Sequence, residues 1–337
     1  MRLLVTGGAG FIGSNFIRYW LEKYGEDEIF NLDLLTYAGN LENLDGLDNT
    51  YGSRYGFTLG SITDTDFVDR LFCQFKPDII VNFAAESHNS RAILNPTIFF
   101  QTNLIGTQTL LHVAQKYEIS RFHHVSTCEI YGDLPLNSAE IFSEQTSYRP
   151  NTPYSASKAG ADLAVLAYHQ TFGLPVTISV CCNNYGPYQN VEKLIPLFIS
   201  KSICDQPLTL YQSSQNKREW LAVEDHCRAI DLIIRKGRDG ERYNVGSQIE
   251  RSVEEIADSI LQILGKPKSL KTYVPDRPGH DRRYLLDSRK IQQELGWQPE
   301  TDFETGLKNT IDWYINHRQW WQQSQLSQIQ EDRWDEQ

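Results

Sequence analysis

Arg2-Leu3-Leu4-Val5-Thr6-Gly7-Gly8-Ala9-Gly10-Phe11-Ile12-Gly13 reads as a short apolar strand running into a glycine turn. Ser14-Asn15-Phe16-Ile17-Arg18-Tyr19-Trp20-Leu21 follows with helical apolar spacing. Gly7, Gly10 and Gly13 supply a tight turn, close backbone approach and close helix–strand packing. The freed amides at the helix start then face outward as a pyrophosphate site. A glycine trio by itself is only a turn, and its place between a strand and a helix is the context a dinucleotide fingerprint requires. A second strand, Ile29-Phe30-Asn31-Leu32, ends at Asp33. An acid about 20 residues past the glycines suits the adenosine ribose 2′-hydroxyl. Leu34 and Leu35 follow it, with no adjacent arginine for a 2′-phosphate, so NAD is favoured over NADP.

Working outward, strand-like runs recur at 78–83, 121–126 and 176–181, separated by helix-like runs at 64–75, 102–117 and 156–172. The alternation predicts an α/β fold with a doubly wound parallel sheet, whose functional groups gather at the strand C-terminal ends. The turn-rich Asn183-Asn184-Tyr185-Gly186-Pro187-Tyr188 marks a boundary. The expected organisation is a dinucleotide-binding domain over 1–184 carrying the catalytic residues. A smaller α/β substrate-binding region follows over 185–325, with some interleaving, and then a polar tail over 326–337. From Arg318 onward the chain is polar and Gln-rich, which predicts a helix end fading into a mobile tail.

Composition bounds the function. The 337 residues carry a net charge of −11, which argues against nucleic-acid or anionic-membrane binding. No apolar run approaches the roughly 20 residues needed to span a bilayer, and no leader segment precedes the first strand. The six cysteines form no C-x-x-C pair and no zinc-ligand spacing. A cytoplasmic protein with free thiols and no metal is expected.

Two stretches carry chemistry. Tyr154-Ser155-Ala156-Ser157-Lys158 puts a phenol and an ammonium on one helix face. Thr127-Cys128-Glu129 puts a hydroxyl, a thiol and a carboxylate at a strand end. The first suits a base for alcohol oxidation and the second a further acid/base pair.

These stretches, with Leu35-Thr36-Tyr37-Ala38-Gly39-Asn40, Ala84-Ala85-Glu86-Ser87-His88, Glu192-Lys193-Leu194-Ile195-Pro196, Arg218-Glu219-Trp220-Leu221 and Asp276-Arg277-Pro278-Gly279-His280-Asp281-Arg282-Arg283-Tyr284, resemble an extended short-chain dehydrogenase/reductase. More narrowly, the chain resembles the dTDP-glucose 4,6-dehydratases over almost its full length. The resemblance implies that Tyr154, tuned by Lys158, takes the C4 hydroxyl proton while Thr127 hydrogen-bonds the same hydroxyl. It implies that Glu129 removes the C5 proton. Besides the glycines and Asp33, it implies NAD contacts from Phe11, Ile12, Ser61, Ile62, Ala84, Ala85 and Asn103. It implies that Ser87, His88, Asn184 and Lys193 hold the nucleotide sugar, together with Arg218, Asn244, Arg277 and His280. A homodimer through two sheet-flanking helices is implied as well.

The chain departs from the family's pattern in places. The family has an aspartate as the acid for C6 water loss, where this chain has Cys128. The thiol is read four ways: as a working acid in 4,6-dehydration, as a loss that slows the enzyme, as the mark of a 5,6-dehydratase forming an exo-glycal, or as a space-filling or introduced residue. Asn89-Ser90-Arg91-Ala92 stands where the family has Val-Asp-Arg-Ser, and Ser61 where it has Asp, which weakens an adenine contact. A nucleotide-sugar epimerase or decarboxylase, or a non-catalytic NAD-binding protein, remains as an alternative.

Overall fold

Six strands alternate with helices in the first half of the chain: β1 (Arg2–Thr6), β2 (Glu28–Asp33), β3 (Tyr55–Leu59), β4 (Ile79–Asn82), β5 (Arg121–Thr127) and β6 (Val176–Cys181). Six more follow: β7 (Asn183–Tyr185), β8 (Leu208–Tyr211), β9 (Lys217–Ala222), β10 (Glu241–Val245), β11 (Glu250–Ser252) and β12 (Lys271–Val274). The computed structural model describes residues 1–276 and 279–322. The main sheet has the order β10-β6-β5-β4-β1-β2-β3, and every pairing in it is parallel. The strand order reverses between β1 and β4, and a doubly wound sheet opens its ligand crevice at that place.

The central strands are buried on both faces: every residue of β4 and β6 is buried, Asn82, Thr177 and Ser179 included. The helices Thr65–Phe75, Thr107–Lys116 and Pro153–Phe172 cover one face through Val68, Phe72, Leu110, Leu111 and Val165. Phe11–Lys23 and Val223–Lys236 cover the other through Phe16, Trp20, Ile230 and Ile234. The chain therefore comes back from its second half to the main sheet over 223–245, with a covering helix and the edge strand β10.

The helix expected over 102–117 begins earlier. Helical backbone runs from Pro96, and Phe100–Gly106 is wound as a π-helix before Thr107–Lys116 resumes. A Cβ on Gly106 would come 2.5 Å from the Ile62 side chain, so it is the missing side chain that lets this helix approach the loop after β3.

Two small sheets, β11-β9-β7 and β12-β8, lie outside the main one. The helices Leu194–Ile203, Val253–Ile263 and Phe303–Asn316 share a separate core built on Phe198, Ile256, Ile260, Leu307, Ile311 and Tyr314. Trp320 and Trp321, in the stretch expected as a helix end fading into a tail, belong to this core. Trp321 is fully buried and its indole N–H donates to the Tyr314 carbonyl at 2.8 Å, while the Trp320 N–H donates to Asn43 Oδ1 at 2.9 Å. Burying two indoles outweighs the polar composition around them. The expected tail over 326–337 lies outside the described residues.

Candidate active site

The C-terminal ends of β1, β2, β4, β5 and β6 open onto one cleft. At its floor the glycine turn is sterically obligatory. Gly7 has φ +72°, and a Cβ on it would lie 2.5 Å from the Ala84 backbone nitrogen; one on Gly13 would lie 2.5 Å from the Gly7 carbonyl oxygen. Gly10 is the N-cap of Phe11–Lys23, with no side-chain cap and no acidic residue in the first turn. The amides there, with the helix dipole, are open to an anion. Asp33 lines the cleft and is held by two backbone donors, Ala9 N to Oδ2 and Leu35 N to Oδ1, both at 2.8 Å. Each carboxylate oxygen keeps a second lone pair for a ligand. This cradle fits a dinucleotide. Phe11, Ile12, Ser61, Ile62, Ala84 and Ala85 line the cleft as well.

Asn103 does not line it. Its amide bridges Glu86 through both backbone groups and donates to Ser157 Oγ, so it braces the loop after β4 from behind. Thr102, its neighbour on the π-turn, reaches the cleft instead, as do Thr36 and Glu86. None of these three was singled out by the sequence reading. Thr36 and Glu86 lie inside the motif stretches 35–40 and 84–88, whereas Thr102 lies in none and stands on the π-helical turn.

The opposite wall carries the acid/base groups. Thr127 ends β5 and caps the one-turn 3₁₀ helix Cys128–Tyr131 by accepting from Glu129 N. Facing it, Pro153–Phe172 begins with a capping box between Thr152 and Ser155 and has proline at its first position. Tyr154 and Lys158 therefore stand on the first turns of a firmly anchored helix, both nearly buried. Burial pushes the Tyr154 phenol well above its usual range and Glu129 adds to this, while a hydrogen bond with Thr127 pulls the other way.

Lys158 was expected beside the phenol. Its Nζ donates to the Val125 carbonyl at 2.7 Å and lies 3.3 Å from His124 Nε2. His124 in turn lies 3.5 Å from Asp162 Oδ1. Asp162 is fully buried, and its Oδ2 accepts from Ser126 Oγ and Tyr148 Oη at 2.8 and 3.0 Å. Burial lowers the Lys158 ammonium to about 8, opposed by Asp162 and Cys181. Burial also raises Asp162 to about 6, opposed by Lys158. The lysine is thus one end of a buried row, Lys158–His124–Asp162, that the five-residue motif did not reveal.

Cys128 is buried and lines the cleft. Burial holds its thiol well above the ordinary value, and the Glu129 charge raises it further, so it stays protonated. Cys181 and Cys182 line the cleft too, and Cys181 Sγ donates to the Ser126 carbonyl.

Of the substrate-side residues, Ser87, Asn184 and Lys193 line the cleft. Lys193 Nζ donates to the Ser87 carbonyl at 3.0 Å and pairs with Glu192. His88, Arg218, Asn244 and His280 are not among the residues lining it. His88 caps the helix Asn89–Leu94 and lies 3.6 Å from Glu192 Oε2. Asn244 is fully buried in β10, its side chain accepting from Tyr131 Oη and donating to the Phe142 carbonyl. The Arg218 guanidinium is spent on the carbonyls of Lys217, Asp281 and Arg282. His280 lies against Ser213 and Asp276. Arg277 lies outside the described residues.

This cleft, built at the switch point with a Tyr–Lys helix on one wall, defines an extended short-chain dehydrogenase/reductase. Within that class the chain belongs to the GDP-mannose 4,6 dehydratase family, whose family model matches residues 4–310. It is 45% identical over 349 residues to a dTDP-glucose 4,6-dehydratase of Escherichia coli, covering 96% of each chain. It is 46% identical over 335 residues to that of Haemophilus influenzae, covering 94% of this chain and 98% of the other. The dTDP-glucose 4,6-dehydratase of Streptomyces venezuelae, solved with NAD bound, superposes with a TM-score of 0.92 at 46% identity, covering 96% of this chain and all of the other. A UDP-glucose 4-epimerase of Thermotoga maritima shares the architecture with a TM-score of 0.87 at 28% identity, covering 94% of this chain and 99% of the other.

Proposed function

We propose that this chain is an NAD-dependent nucleotide-sugar 4,6-dehydratase acting on dTDP-glucose or a near analogue. The observation that carries the reading is the meeting, in one cleft, of the glycine cradle, the Tyr154–Lys158 helix and Glu129. Gly7, Gly10 and Gly13 would hold the pyrophosphate, and Asp33 the adenosine ribose. NAD held there would supply the hydride acceptor for C4 and the hydride donor for C6, with no net consumption of the cofactor.

The chain's own groups handle the protons. Tyr154 takes the C4 hydroxyl proton, and Thr127, already in contact with the phenol, orients that hydroxyl. The phenol needs positive charge nearby to act as base near neutral pH, and a protonated Lys158 supplies part of it. The 4-ketone acidifies C5–H, and Glu129 removes that proton. Cys128 hydrogen-bonds the departing C6 oxygen and donates its proton. A thiol is a weaker donor than a carboxylic acid, so this step is expected to be slow. Ser87, Asn184 and Lys193 contact the nucleotide sugar. A simple C4 epimerase has no use for a C5 base, which weighs against the epimerase reading.

The protein is proposed to work as a homodimer in the cytoplasm. Leu94, Ile98, Phe100 and Ile105 on one sheet-flanking segment, and Leu163 and Phe172 on the next, are each exposed, which supports this reading. All six cysteines are free, which suits a reducing compartment. No helix among the described residues is long and apolar enough to cross a membrane.

The test is turnover of C4-deuterated dTDP-glucose, and of its UDP counterpart, by the purified protein. Loss of water with the label at C6 is expected. Label retained at C4 would replace this reading by 5,6-elimination to an exo-glycal. No loss of water from either sugar would overturn the dehydratase reading.

A further inference from the structure

Asn89 lies behind the catalytic wall, at the first position of the helix Asn89–Leu94, and is not among the residues lining the cleft. Its amide is engaged at both ends. Nδ2 donates to Glu129 Oε2 at 3.0 Å, and Oδ1 accepts from Thr152 Oγ1 at 3.0 Å. Thr152 is the N-cap of Pro153–Phe172, where its hydroxyl oxygen accepts from Ser155 N at 3.1 Å. That leaves the hydroxyl proton for Asn89. An ionised carboxylate can only accept, so the amide has one orientation that satisfies both neighbours. One side chain therefore ties Glu129 to the start of the helix that carries Tyr154.

We propose that Asn89 is a positioning residue for the C5 base: it holds the Glu129 carboxylate in its ionised form and at a fixed separation from Tyr154, so that the C4 and C5 protons are taken by groups locked to one frame. The proposal rests on the reading of Glu129 as that base. A base must be ionised before it acts, and a hydrogen bond donated to the ionised form favours it. The other groups facing Glu129 are Cys128 on its own turn, Tyr154 on the catalytic helix, Cys181 on β6, Lys193 ahead of Leu194–Ile203 and Tyr284 after β12. Of these described groups, Lys193 brings positive charge. Asn89 adds a donor that does not ionise, so it stabilises the carboxylate without competing for the substrate proton.

The test compares Asn89→Leu and Asn89→Asp with the wild type. The leucine variant removes both bonds. The aspartate variant keeps the Thr152 bond and the side-chain shape, so it remains informative if the leucine variant fails to fold. In both, kcat is expected to fall about tenfold or more with KM within about twofold, and the acid limb of the kcat profile to move up by about one pH unit. The aspartate variant should move further, because a second carboxylate disfavours ionisation of the first. In a single turnover, hydride loss from C4 should keep its wild-type rate, while exchange of C5–H with D2O slows in step with kcat. A drop in kcat with the pH limb unmoved and both steps slowed equally would overturn the proposal and leave Asn89 a packing residue. Absence of C4 oxidation in the wild type itself would sink the dehydratase reading, a result separate from either of these.

Discussion

The two walls of the cleft are made by different means. The cofactor wall is local: Gly7 to Gly13 lie in one turn, and Asp33 is fixed by amides only 2 and 24 residues away. The elimination wall is assembled from distant pieces. Glu129 is held by Asn89, 40 residues earlier, and Asn89 by Thr152, 63 residues later. A local motif survives or fails as a unit, whereas an assembled wall can exchange one member, as at Cys128, and keep the rest. The comparison predicts large effects where both walls need one group, and graded effects where a single member is changed.

Tyr154 is the group common to both, and its loss should have the largest effect. Tyr154→Phe removes one hydroxyl and no packing volume, so fold and NAD affinity should hold while turnover falls about 10²–10⁴-fold. The check is kcat beside a thermal melt and a titration with NAD. A variant retaining more than half the wild-type turnover would show that the phenol is not the base.

Cys128→Asp probes the exchanged member. A carboxylic acid there is a stronger donor to the leaving oxygen, and burial beside Glu129 would keep it protonated near neutral pH. Rates of 4,6-dehydration should rise about tenfold, toward the lower range of general-acid effects. If the variant is no faster and the wild type leaves deuterium at C4, the thiol belongs to a different elimination.

The fold was legible in the sequence because its signals are short-range. The glycine turn, the alternation of buried strands with amphipathic helices, and the Tyr–Lys spacing each fall within one or two elements. The sequence did not reveal which polar residues would meet across elements. The family resemblance implies that Asn244 and Arg218 hold the nucleotide sugar, but it does not show what else claims their side chains. The return of the chain to the main sheet buries the first in β10, and three carbonyls claim the second. The Trp320–Trp321 pair was hidden in the same way, by a polar neighbourhood whose composition says nothing of the pocket that receives two indoles. Asp162 stands four residues after Lys158 on the same helix face, but His124 comes from β5, and no spacing in the sequence joins it to them.

That row yields a prediction of intermediate size. Asp162 favours the charged form of Lys158, whose ammonium is lowered to about 8 by burial. Below that pH the lysine is charged and supports the phenolate; above it the support is lost, so activity should decline as pH rises through about 8. Asp162→Asn removes the favouring charge, so Lys158 loses its proton at lower pH and the alkaline limb should move down by about one pH unit, with kcat at pH 8 reduced about three- to tenfold. His123, Cys181 and Arg242 also face this row, but none is altered by the substitution. An alkaline limb that stays in place would show that Lys158 does not depend on Asp162 for its charge.

The smallest effect is expected on the cofactor wall, at Ser61. It lines the cleft, and its hydroxyl oxygen accepts from Thr63 N at 3.2 Å and pairs with Thr63 Oγ1 at 2.8 Å. The loop after β3 is therefore shaped by a local side-chain turn that an aspartate can make equally well. Ser61→Asp should leave the backbone where it is and add a charged acceptor beside the adenine end of the cleft. Hydrogen bonds to charged groups are worth more than those between neutral ones, but this site is partly exposed, and solvent weakens the gain. NAD affinity should tighten by about threefold, with kcat unchanged because the chemistry lies at the other end of the cleft. Equilibrium titration of NAD-stripped protein measures this directly. A change in kcat without a change in affinity would mean that the two walls are coupled through the sheet, and that the local character of the cofactor wall is not what lets it vary.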